Sequence, residues 1–190
     1  MPDLSSDRHA ILEQLKHSDD AAERLLRGKS REQANWQPKQ ATSWSMWQCF
    51  DHLARINQVY CQALLAAVEN PRETRESTPQ MIMPGWFSRW FTRSMGLPVR
   101  ARFKAPAKVI PTPAGDPEEA LHAFLESHAP VRRVLEFWDR VNFNRVRFKN
   151  PFVPLLRFTI GTGLLVINAH DRRHLWQAER VEDAPGFPKA

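Results

Sequence analysis

The stretch Ser45–Asn70, SMWQCFDHLARINQVYCQALLAAVEN, decides the fold. It contains no proline. Ser45-x-x-Gln48 opens it as a capping box, in which each residue's side chain answers the other's backbone N–H. Cys49, Leu53, Ile56, Tyr60, Ala63 and Ala67 then recur at helical spacing along one stripe. The stretch therefore reads as one long amphipathic helix with a single apolar face to bury.

Proline placement extends the reading to the rest of the chain. Eight of the fifteen prolines lie between Pro71 and Pro117, and none lies in Leu4–Arg27, Ser45–Asn70 or Leu155–Asp183. Proline breaks helix interiors, so the empty stretches are where long helices can run. A first helix is expected over about Ser6–Arg27, with Ile11, Leu15, Ala22 and Leu25/Leu26 in register and Gly28 ending it. A third opens at Asp116-Pro117-Glu118-Glu119, where Asp116 caps, Pro117 takes the first helical position and two acids face the positive end of the dipole. Its stripe is Leu121, Phe124/Leu125, His128, Val131, Leu135 and Trp138, with a kink expected at Pro130. A fourth covers about Phe158–Glu182, with Leu164, Ile167, His174, Ala178 and Val181 in register and Gly161 and Gly163 near its start.

Four such helices of about 22 to 26 residues, without sustained strand alternation, predict an all-α fold, a four-helix bundle. The connection between the second and third helices, 71–115, is about 45 residues long, far beyond a hairpin, and implies a crossover that leaves those two helices parallel. The expected order is up-down-down-up. One domain is expected over 1–190, with 71–115 a proline-rich basic crossover and 183–190 a tail.

With 190 residues, 42% of them hydrophobic and 25% charged, the chain can bury a sizeable core, which excludes disorder. No apolar run approaches the roughly 18 residues of a membrane span. Met1-Pro2-Asp3-Leu4 lacks the basic-then-apolar build of a signal peptide, so the expected address is cytoplasmic. Cys49 and Cys61 would stand about 18 Å apart along one helix axis, too far for a disulfide, and are expected to be buried thiols in a reducing compartment.

Histidine placement carries the chemistry. His170 and His174 lie one turn apart on the fourth helix, the H-x3-H spacing that presents two imidazoles to one ion. Both sit on or beside the apolar stripe, where unpartnered imidazoles are costly. His52 lies seven residues into the second helix, and His174 about eight residues before the end of the fourth. If those helices run antiparallel, both lie about 10 to 12 Å from the same end of the bundle. Three neutral imidazoles with an open position describe a site for one divalent transition metal, Zn, Ni, Fe or Co. The competing reading is a set of buried histidines satisfied by hydrogen bonds.

Two segments carry a family resemblance. Trp44-Ser45-Met46-Trp47-Gln48-Cys49-Phe50-Asp51-His52-Leu53 and Asn168-Ala169-His170-Asp171-Arg172-Arg173-His174-Leu175-Trp176-Gln177 resemble the Trp-Ser entry with its following His, and the H-x3-H-x2-Q segment, of the DinB/YfiT-like metal-dependent hydrolases. Phe103-Lys104-Ala105-Pro106 is loosely similar to the family's stretch before the third helix. The resemblance covers essentially the whole chain. It implies a four-helix bundle, a metal triad of His52, His170 and His174, hydrolysis by an activated water, and a homodimer. It also allows a thiol-dependent S-transferase or isomerase, in which the metal holds a thiolate. A non-catalytic stress-response bundle, its metal structural or absent, is the third reading.

No catalytic residue beyond the triad is identifiable. Asp51 and Asp171 neighbour ligands in sequence but point about 100° away on a helix, so each reads as a solvated acid or one bonded behind a ligand. Gln48 and Gln177 lie on the ligand faces, either supporting the ligands or capping. His9, His17 and His122 read as surface residues, and His128 as a satisfied core histidine. His170-Asp171-Arg172-Arg173-His174 has only the outline of a zincin motif, with Asp for Glu and too little chain after it for a third ligand.

The net charge of +6 is local. Pro71–Gly115 holds eight basic and two acidic residues, and Arg140–Arg157 five basic and none acidic. Within the first, Trp86, Phe87, Trp90, Phe91 and Met95 can share one face of a short helix, with Arg89 and Arg93 opposite. This stretch lies outside the resemblance and reads as a crossover helix packed over the bundle, with a lid, a dimer face or an anionic surface as its functional alternatives. No nucleic-acid motif accompanies the charge, so no specific nucleic-acid partner is expected. The expected partner is a small-molecule substrate, anionic or a thiol.

Overall fold

The computed structural model describes residues 7–38, 43–71, 81–99, 104–153 and 155–189. Ser6, the expected start of the first helix, and Phe103 of the loosely matching stretch lie outside these, as do 72–80 and 100–102 of the long connection. The chain is mostly helical: α1 (Arg8–Leu26), α2 (Arg31–Asn35), α3 (Met46–Glu69), α4 (Trp86–Met95), α5 (Pro117–Ser127), α6 (Ala129–Leu135) and α7 (Ile160–Glu182). A 3-10 turn at Ala107–Val109 and an antiparallel ribbon of β1 (Arg147–Lys149) and β2 (Arg157–Thr159) complete it.

Local capping chemistry sets the helix starts. Ser45 and Gln48 form the reciprocal box that opens α3, with Gln48 N–H donating to Ser45 Oγ at 3.2 Å and Ser45 N–H to Gln48 Oε1 at 3.0 Å. Asp116 accepts from the N–H groups of Glu118 and Glu119 at the head of α5. Gly28, at φ +74°, takes the left-handed turn that releases the chain from α1.

Three boundaries differ from expectation. The expected third helix is two helices: α5 ends at Ser127, and Pro130, lacking an N–H, sits in the first turn of α6, two residues after the break at His128. α6 ends at Leu135, so Trp138 lies in the turns beyond it. Phe158 belongs to β2, opposite Phe148, and α7 begins at Ile160 with Thr159 as its cap. α2, a five-residue helix with its own Ser30–Gln33 capping box, was not expected.

α7 packs against α1, α3 and α4, and α3 packs against α5, α6 and α7. Their apolar residues form two clusters. One gathers Ile11 and Leu15 of α1, Tyr60 and Leu64 of α3, Val131 and Val134 of α6, the ribbon phenylalanines and Leu164 and Ile167 of α7. The other gathers Ala22 and Leu25 of α1, Cys49 and Leu53 of α3, Leu121 and Phe124 of α5, and Leu175 and Ala178 of α7. Gly163 lets the first cluster close, because a Cβ there would stand 2.7 Å from Leu64 Cδ2 and 2.9 Å from Phe148 Cε1.

Between the clusters lies a polar layer to which all four packing partners contribute. His128, fully buried at the α5–α6 junction, places Nδ1 2.6 Å from Asp19 Oδ1 and Nε2 3.1 Å from Asp171 Oδ2. Asn57 Nδ2 donates to Asp171 Oδ1 at 3.0 Å, and Arg132 pairs with the outer oxygen of Asp19. Burial alone would push the His128 imidazole toward neutrality. The hydrogen bonds to Asp171 and Asp19 overcome it and raise the pKa to about 9, so an imidazolium is held between two carboxylates. Cys49 and Cys61 are both buried and unpaired, and burial pushes the Cys61 thiol up to about 12. α4 is only half docked: it packs on α7, yet Trp86 and Trp90 are 84% and 59% exposed.

Two stability predictions follow from this packing. Gly163→Val should lower the melting temperature by several degrees, since overpacking of about 1–3 kcal/mol exceeds the smaller gain in helix propensity. Because the His128 pKa is raised on folding, its contribution is complete below the ordinary value of 6.5 and is lost as pH rises through about 9. Urea unfolding should therefore show stability falling by about 3 kcal/mol across that window, a slope that His128→Gln removes.

Candidate metal centre

α3 and α7 meet at the level of the polar layer, and this brings together the three histidines singled out by spacing. The rings of His52 and His170 lie 5.3 Å apart between centroids, those of His52 and His174 4.9 Å, and those of His170 and His174 4.5 Å. One ring nitrogen from each lies within 4.8 Å of the other two, close enough for a single ion to be reached by all three. His52 and His174 are buried and His170 is half-buried, so the cluster opens to one side.

The second nitrogens explain how the rings are held. His52 Nδ1 lies 2.6 Å from the carbonyl oxygen of Val109, in the 3-10 turn before α5. A carbonyl only accepts, so Nδ1 carries the proton and Nε2 is left bare as a donor to a metal. His174 Nδ1 donates likewise to Gln177 Oε1 at 3.0 Å, one turn further along α7. Trp44, at the entry to α3, covers the cluster with its ring 4.8 Å from His52 and stacked on His174 at 5.5 Å and 23°.

The electrostatics favour neutral rings. Burial, then the neighbouring His174 and His52 rings, holds the His170 pKa well below its ordinary value. Burial and then His52 lower His174 to about 3, and burial lowers His52 against the opposing pull of the Val109 carbonyl. All three rings are therefore uncharged at neutral pH, each with one bare nitrogen, the state in which imidazole binds metals. The donor set fits one divalent ion with coordination positions to spare.

The other candidates fall into place around this core. Gln177 holds the His174 ring, whereas Gln48 serves the capping box and accepts from Gln37. Asp51 chelates Arg55 and accepts from Thr112, which ties the connection before α5 onto α3. Asp171 is fully buried rather than solvated, facing Asn57 and His128 on the side of α7 away from the histidine cluster's opening. His9, His17 and His122 are exposed. Val109 was invisible to sequence reasoning because it acts through its backbone, and Asn57 because only its partner reveals its role. Trp44 leaves a usable trace in the sequence, an indole just ahead of a helix that carries an inward histidine.

The cluster opens into a cleft of about 1980 Å³ that runs along α7. Tyr60, Phe91, Met95 and Phe152 line one reach, and Trp44, Trp176, Arg173 and Arg180 another. Lys104, Arg173 and Arg180 face a single lining carboxylate, Asp183, among the described residues. Arg180 rests over the Trp176 ring at 5.4 Å.

No helix among the described residues is long and apolar enough to cross a membrane. A search of curated proteins and one of solved structures each returned no match. The family model described as DinB superfamily matches residues 14–178, a span that contains all three histidines and Trp44. The chain belongs to the DinB superfamily.

Proposed function

We propose that this protein is a metal-dependent hydrolase in which His52, His170 and His174 hold one divalent transition metal at the head of the cleft. The observation that carries the reading is the convergence of three neutral imidazoles with two of their outer nitrogens already committed to Val109 and Gln177. Such a set is pre-oriented: the tautomers are fixed before any ion arrives, which lowers the cost of binding one. A divalent ion held by three nitrogens and an open position supplies Lewis acidity and brings the pKa of a coordinated water toward neutrality.

The chain's own residues would do the rest. Trp44 excludes bulk water from the buried faces of His52 and His174, which strengthens every interaction at the cluster. Lys104, Arg173 and Arg180 would draw an anionic substrate into the cleft, and the apolar reach beside Phe91 and Phe152 would take its carbon body. Asp171 and Asp51 are engaged elsewhere, so neither is offered as general base.

The same proposal includes the architecture. Trp47 Nε1 donates to the Asp116 carbonyl, joining the start of α3 to the start of α5, and Arg133 pairs with Glu69 at the other end of α3. Arg24 pairs with Glu179, joining the last turns of α1 and α7. These ties support a single domain with an up-down-down-up four-helix bundle of α1, α3, α5–α6 and α7.

Elemental analysis of purified protein should find about one equivalent of a divalent transition metal per chain, falling to a small fraction in His52→Ala and His170→Ala. Equal content in all three proteins would end the assignment. In a panel of esters, amides and lactones, turnover should proceed without added thiol, stop with a chelator, return with metal and drop at least about a hundredfold in His170→Ala. Turnover that strictly requires a thiol would move the assignment to an S-transferase or isomerase built on the same triad.

A further inference from the structure

We propose that the junction of α4 with the β1–β2 ribbon is a docking face for an anionic phospholipid bilayer. Met81 and Met83, just before α4, meet Asn144, just before the ribbon, so the two basic segments of the sequence come together at this junction. Met83 N–H donates to Asn144 Oδ1 at 2.8 Å, and Asn144 Nδ2 donates to the Met81 carbonyl at 2.9 Å. The Phe87 and Phe91 rings of α4 lie 6.4 and 4.9 Å from the Phe158 ring of β2.

The ribbon turns Phe148 and Phe158 inward and Arg147, Lys149 and Arg157 outward. Lys149 is directly opposite Arg157, with Arg147 two residues away on the same face. Like charges facing across a strand pair destabilise it, and no carboxylate among the described residues pairs with any of the three. In the loop between the strands Leu155 is 103% exposed at φ +67°, a left-handed conformation unfavourable for a branched apolar residue. Trp86 and Trp90, 84% and 59% exposed, stand on the neighbouring helix. Among the described residues the cations gain no ion pair and the strained leucine no burial, and the two indoles touch only the Phe87 ring of their own helix, at 6.0 and 5.8 Å, with most of their surface left exposed.

A bilayer surface accounts for all three. Lipid phosphates neutralise the facing cations, indoles settle at the headgroup level, and an aliphatic side chain enters the acyl boundary. Each basic residue close to an anionic leaflet strengthens partitioning about fivefold, which compensates for the shortness of α4. Nucleic acid would accept the cations and indoles but leave Leu155 without a partner, and a second copy of the face would bring cations against cations.

The test is co-sedimentation of the full chain with vesicles of phosphatidylcholine alone and of phosphatidylcholine with roughly 30% phosphatidylglycerol, in low and high salt. Binding is expected only to the anionic vesicles, weakening with salt. Trp86→Ala/Trp90→Ala and Leu155→Ser should each weaken it about tenfold, and Lys149→Glu/Arg157→Glu should abolish it, with metal content and circular dichroism unchanged. No binding by wild type, or binding lost only in the charge variant, would overturn the proposal. The second outcome would leave a generic polyanion surface. A wild-type dimer that dissociates on Trp86→Ala/Trp90→Ala would equally overturn it, by assigning the face to a second copy.

Discussion

The packing of α1, α3, α5–α6 and α7 converges on one buried carboxylate. Asp171 lies at zero exposure between two apolar clusters, and it is tolerable there only because His128 and Asn57 meet both of its oxygens. An isolated carboxylate at that depth would be strongly unfavourable, and removing either partner would expose the fold to a loss of several kcal/mol. The requirement is directional. It fixes α3 through Asn57, the α5–α6 break through His128 and α1 through Asp19, all at one level of α7. Apolar packing alone could accept small slides among these helices; a hydrogen-bonded charge in the core cannot.

The histidine cluster takes its precision from that level. His170 and His174 flank Asp171 on the same helix, so whatever anchors the carboxylate also sets the height and rotation of both rings. His52 sits just over one turn before Asn57 on α3, and is therefore placed by the same contact from the other side. The geometry of the cluster is inherited from a structural interaction that never touches it.

Much of this could be seen in the chain, and the parts that could were those with local causes. Ser45 and Gln48, or Asp116 and Pro117, act within one helical turn, so their pattern is readable without partners. The 170/174 spacing is equally local, and His52 joined it through a count of turns from helix ends. The burial of Asp171 was not legible for a specific reason. Adjacent helical residues do point about 100° apart, but the early part of α7 is enclosed on nearly every side, from Ile160 to Ala169, so that direction leads into the core and not to water. The Asp19–His128 contact joins positions 109 residues apart and leaves no periodic trace. The ribbon strands, three residues each, are shorter than any alternation that could announce them, and Phe158 in a helical register looked like the start of α7. The break at His128 was anticipated as a bend because proline's lost donor weakens a helix without dictating whether the chain recovers its direction.

One consequence of the shared turn on α7 concerns how such a chain can vary over time. Carboxylate anchor and imidazole donors lie within five consecutive positions of a single helix, facing different ways. A one-residue deletion or duplication upstream of them, anywhere after Ile160, would turn the helix by a full residue step and present the wrong side chain to both audiences at once. Lineages of this fold should therefore keep the stretch from Gly161 to His174 constant in residue number and change length outside it.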